Sequence, residues 1–146
     1  MKKLYESLPA SNEVVEREVA ILSKRLGVPT PKMKFWSHGT AKYDPDDKTI
    51  YIHDVKWAEW VDPDCTGPCF WGAVVWHEFA HYLSDLWTAD SGHTPEMYAL
   101  ATALALLTDI PLDEFYRHEK KYKPLAFKRG RKQAGVAILA NYKWGA

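Results

Sequence analysis

Two histidines four residues apart, His77 and His81, stand inside a stretch, residues 69–86, whose only charged residues are Glu78 and Asp85. On a helix that spacing puts both side chains on one face, about 5–6 Å apart. The apolar residues around them, among them Val74, Val75, Trp76, Phe79, Ala80 and Leu83, require burial against a core. The imidazoles and the Glu78 carboxylate require polar company. Both demands are met by a helix packed into a core with one edge facing a cleft. The chain that must supply this core has 146 residues, is 47% hydrophobic and 26% charged, and has no low-complexity tract. That size and composition describe one folded domain over residues 1–146 and exclude a disordered or collagen-like chain.

The remaining elements follow from periodicity and punctuation. Residues 11–26 read as a helix, with Val14, Val15, Val19, Leu22 and Leu26 near one face, Ser11 or Asn12 as cap and Gly27 as stop. Short β-rich runs at 33–36, 41–43 and 49–53, the last two separated by the turn residues 44–48, predict a small, mostly antiparallel sheet. The motif helix is expected over 69–86 and is followed by a polar breaker segment at 88–92. Thr94-Pro95-Glu96 then opens a second, buried helix through 97–107, with Thr94 as N-cap and Pro95 in the first turn. Shorter helices are expected over 110–122 and 133–142. The fold class is α+β.

His77-Glu78-Phe79-Ala80-His81 carries the chemistry. Both imidazoles can reach one zinc ion about 2 Å from each nitrogen, and Glu78 is placed to take a proton from a water beside the ion without itself being a ligand. A catalytic zinc needs a third protein ligand and an open position. Two residues compete for that role. His93 follows the Ser91-Gly92 break, where a chain reversal returns an imidazole to the motif helix; Glu96 stands three residues later, where the positive end of the next helix already explains an acid. His93 is the preferred ligand. Tyr82, Tyr98 and Tyr116 are candidates for stabilising an oxyanion, while His38, His53 and His118 lack comparable spacing and read as structural or surface residues.

The motif helix, the short break and Gly92-His93-Thr94-Pro95-Glu96-Met97 together resemble the SprT-like zinc metallopeptidases and, more loosely, other minimal zincins. The upstream order is also similar: an amphipathic helix, Gly27-Val28-Pro29-Thr30-Pro31, and a hairpin ending in Thr49-Ile50-Tyr51-Ile52. The resemblance covers roughly residues 11–107. It departs at Thr94, where a glycine often follows the third histidine, and in having no C-terminal zinc-ribbon cysteines. It implies a zincin-like domain that hydrolyses peptide bonds with one Zn2+ and Glu78 as general base. By fold-level analogy, strand 49–53 would be the sheet edge beside the cleft and receive an extended peptide by strand addition. A minimal gluzincin using Glu96, a zinc hydrolase for a non-peptide substrate, and a metal-containing binding module are the competing readings.

Charge is uneven although the net charge is zero. Residues 1–116 carry 10 Lys/Arg and 18 Asp/Glu, net −8, and residues 117–146 carry 9 Lys/Arg against Glu119, net +8. The basic segment suits either a solvated face or contact with nucleic acid, which for a SprT-like protein implies recruitment to proteins crosslinked to DNA. Cys65 and Cys69 are too few for a disulfide framework and read as free thiols, with a local disulfide and a metal-binding thiolate as alternatives. The longest apolar stretch, 97–107, is about half the roughly 20 residues a membrane-spanning helix needs, and residues 1–10 lack the apolar core of a signal peptide. A cytoplasmic home with a peptide or protein substrate, and no membrane partner, is the expectation.

Overall fold

The computed structural model describes residues 12–36, 41–54 and 71–108. The expected helices over 110–122 and 133–142, the basic segment 117–146, Cys65, Cys69, Tyr116, His38, His118 and the side chain of His53 lie outside the described residues. In chain order the elements are α1 (Asn12–Leu26), β1 (Lys32–Trp36), β2 (Lys42–Asp44), β3 (Thr49–His53), α2 (Trp71–Thr88) and α3 (Pro95–Leu107). This is an α+β arrangement of three helices and one small sheet.

Helix α1 buries Val15, Val19, Leu22 and Leu26, a stripe at i, i+4, i+7 and i+11. It stops where the residues predicted, at Gly27, whose φ of 71° places it in the left-handed region. There Gly27 N–H donates to the Lys24 carbonyl (3.1 Å) and Val28 N–H to the Ser23 carbonyl (3.0 Å), which satisfies the last carbonyls of the helix.

The sheet is mixed, with strand order β1-β3-β2, which corrects the mostly antiparallel expectation. The β2–β3 pair is antiparallel, with Tyr43 opposite Ile50, as the tight turn between the strands requires. The chain leaves β1 at Trp36 and re-enters on the far side of β3 at Lys42, so β1 runs parallel to β3, with Met33 opposite Ile50 and Phe35 opposite Ile52. Strand β3 is therefore central. It cannot be the open edge for strand addition, because β1 pairs with its whole length and β2 with Thr49 to Tyr51.

Met33, Phe35, Tyr43, Ile50 and Ile52 on one sheet face pack with the helices into a single core cluster. Its largest fully buried side chains include Trp76, Phe79 and Tyr82 of α2 and Tyr98 of α3. Helix α3 is buried without interruption from Met97 to Ala105, as expected of an interior helix. Its most extensive packing is against α2, which also contacts β2 and β3. Tyr82 ties α2 to the segment after α1 by donating to the Pro29 carbonyl (2.5 Å). Asn12 Nδ2 ties the start of α1 to Asp54 Oδ2 beyond β3 (3.2 Å). No helix among the described residues is long and apolar enough to cross a membrane.

Candidate metal centre

At about 100° per residue, His77, His81, Ser84 and Thr88 fall within an arc of about 60° on α2. They form a polar stripe along a helix that buries Val75, Trp76, Phe79, Ala80, Tyr82 and Leu83 in the core. The stripe faces the segment between α2 and α3. Helix α2 runs to Thr88, two residues past its expected end. Ala89 N–H still bonds the Asp85 carbonyl (3.0 Å), and the chain turns only at Ala89, whose φ is 58°. The segment then leads through Ser91 and Gly92 to His93, and Thr94 caps α3 as expected, its hydroxyl accepting from Met97 N–H at 3.1 Å.

This chain reversal brings His93 back to the stripe. The ligand atoms of His77, His81 and His93 all lie within 4.8 Å of one another. His81 Nε2 is 3.2 Å from His77 Nε2, and the His93 ring centre lies 4.7 Å from that of His81 and 5.3 Å from that of His77. His77 and His81 are buried, whereas His93 is exposed. Glu96 is exposed in the first turn of α3 and does not belong to the group.

The second nitrogen of His81 explains how its ring is held. Nδ1 lies 2.6 Å from the Ser91 carbonyl oxygen. A carbonyl only accepts, so Nδ1 carries the proton and the lone pair sits on Nε2, directed at His77. Burial first, then the neighbouring His77 and His93, pull the His81 pKa down to about 3, against the opposing effect of the Ser91 carbonyl. His81 is thus a neutral nitrogen donor at ordinary pH, the state a metal requires.

This geometry suits a metal ion. Two nitrogens each about 2.0–2.1 Å from one ion at a tetrahedral angle are about 3.3 Å apart, and the His77–His81 pair already stands at 3.2 Å. The His93 ligand atom lies within 4.8 Å of the other two, so a displacement of about an ångström brings all three to one ion. Three imidazoles suit zinc, copper, iron or nickel. A backbone carbonyl orienting the rear nitrogen of a ligand is the usual outer support of such sites.

Glu78 is buried, with Oε2 4.0 Å from His77 Nε2. Its carboxylate therefore lies beside the nitrogen donors. Of the tyrosine candidates, Tyr98 lies against the cluster, its ring centre 5.9 Å from that of His93 and 6.3 Å from that of His77. The Tyr82 hydroxyl is committed to Pro29. Reasoning from side-chain types missed the Ser91 carbonyl, which has no sequence signature, and Ser84, Thr88 and Asp90, which read only as breaker or helix residues. The Asp90-Ser91-Gly92 sequence is nevertheless a recognisable turn signal: Gly92 N–H donates to Asp90 Oδ1 at 2.9 Å. No family model, curated protein or solved structure matches this chain. The functional reading therefore rests on the site geometry and the motif.

Proposed function

We propose that the protein is a zinc-dependent metallopeptidase of the zincin type, with His77, His81 and His93 as ligands and Glu78 as general base, acting on peptide or protein substrates. The observation that carries this reading is the convergence of three imidazoles, two of them at tetrahedral spacing, beside a buried glutamate that is not one of the donors. A zinc ion bound there supplies Lewis acidity, lowering the pKa of water and polarising a carbonyl. Glu78 takes one proton from the attacking water at its carboxylate. It passes that proton to the amine nitrogen as the carbon–nitrogen bond breaks, and ends the cycle unprotonated. His81, fixed by the Ser91 carbonyl, keeps its Nε2 lone pair aimed into the site. The resemblance to SprT-like peptidases supports the same assignment through residues 77–81 and 92–97.

The test separates the base from the ligands. Glu78→Gln keeps the shape and removes the basic oxygen, so hydrolysis of an unstructured fluorogenic peptide should fall by about 10²–10⁴-fold while zinc content stays at the wild-type level. A Glu78→Gln protein as active as wild type would contradict the proposed base. Loss of fold on chelation with no hydrolysis by the wild type would instead describe a structural metal site.

A further inference from the structure

The cluster poses a question that its ligands do not answer: what holds an exposed residue, His93, against two buried ones. The segment before it is tied to α2 by a compact set of hydrogen bonds. Ser84 Oγ, on a fully buried residue, donates to the Asp90 carbonyl at 2.6 Å. Thr88 Oγ1 donates to the Ser84 carbonyl at 2.7 Å and lies 3.3 Å from Ser84 Oγ, while Asp90 N–H donates to Thr88 Oγ1 at 3.3 Å. Asp90 Oδ1 in turn accepts from Gly92 N–H at 2.9 Å. The fit is close, since a Cβ on Gly92 would stand 3.2 Å from that oxygen. The next carbonyl after Asp90, that of Ser91, is the acceptor for His81 Nδ1. The residue after Gly92 is His93 itself.

We infer that Ser84 is a positioning residue for the metal centre: by anchoring the Asp90 carbonyl to α2, it sets both the Ser91 carbonyl that orients His81 and the turn that presents His93. The inference rests on the metal-site reading above. Ser84 follows His81 by three residues and lies on the same stripe, so the helix face that supplies two ligands also supplies the anchor for the loop that supplies the third. A serine fits the position because its hydroxyl is short enough to stay within the helix surface and still reach a carbonyl on the adjoining turn. Anchoring the loop in advance lowers the ordering cost of binding, which appears as metal affinity.

The test compares zinc affinity, by competition with a chromophoric chelator, and the visible spectrum of the cobalt-loaded protein in wild type, Ser84→Ala, Asp90→Ala and Asp90→Asn. Ser84→Ala is expected to weaken zinc binding by about 10-fold or more, the usual cost of losing an outer support, and to change the cobalt spectrum. Asp90→Ala should weaken binding in the same direction. Asp90→Asn, which loses the same charge but keeps the acceptor for Gly92 N–H, should stay close to wild type. Loss of one buried hydroxyl with a merely structural role would lower melting temperature with and without metal alike and leave affinity and spectrum unmoved; that result would overturn the inference. Should Ser84→Ala fail to fold, Ser84→Cys, which fills the same space with only a weak donor, is measured in its place and is expected to weaken zinc binding in the same direction. Unchanged affinity in folded variants of a zinc-binding wild type would sink only the role of Ser84, whereas a wild type that takes up no zinc would sink the metal site as well.

Discussion

At Asp85 two donors converge on one carboxylate oxygen: the Tyr43 hydroxyl at 2.7 Å and Lys48 Nζ at 2.8 Å. The Lys48 and Tyr43 bonds hold the carboxyl below its usual range against the opposing effect of burial. Burial first, then the bond to Asp85, push the Tyr43 hydroxyl up, so that it stays protonated as the donor. A carboxyl whose folded pKa is depressed adds stability at pH values above its unfolded pKa and loses it as pH falls through the folded value. Asp85→Asn keeps an oxygen acceptor for Tyr43 but removes the charge that strengthens that bond and faces Lys48, so it should cost about 0.5–1 kcal/mol at pH 7, the Lys48 partner being half exposed and screened. Urea denaturation should show the gap between variant and wild type closing below about pH 4; a gap independent of pH would contradict the ionised pairing. At this scale the members of the three-histidine cluster were legible, since histidines at fixed helical spacing followed by a chain reversal leave few alternatives. Their supports were not, because a backbone carbonyl such as Ser91 has no letter of its own, and Ser84 looks like any serine in a helix.

The end of α2 shows what a string of residue types leaves undecided about an element. A polar run beginning at Thr88 reads as a break, yet Thr88 closes one more turn by bonding back to the Ser84 carbonyl, and the left-handed residue that ends the helix is Ala89 rather than a glycine. Alanine pays a steric penalty there that glycine avoids. Ala89→Gly should raise stability by about 0.5–1 kcal/mol in thermal or chemical denaturation, and a loss of that size would show that the turn is held differently. By contrast, α1 and α3 were legible to within a residue because Gly27 and Thr94-Pro95 are unambiguous stop and start signals. The direction of β1 was not, since a strand's own sequence does not say which neighbour it joins.

Across the whole described molecule, α2 is the organising element. One side packs with Phe79 and Tyr82 into the core shared with α3 and the sheet, and the other carries the polar stripe that meets the returning loop. The α2–α3 connection is short and tied down by Ser84, so that His93 is delivered to His77 and His81. The α+β class was legible from periodicity because helix and strand patterns are separate along the chain, whereas the mixed strand order arises from contacts between distant segments. If this delivery completes a three-histidine metal centre, zinc uptake should depend on His93 and not on Glu96, which elemental analysis of zinc per chain in wild type, His93→Ala and Glu96→Ala reads out. Close to one zinc is expected in wild type and Glu96→Ala, with a near-complete loss in His93→Ala; zinc retained in His93→Ala and lost in Glu96→Ala would rule out the three-histidine site.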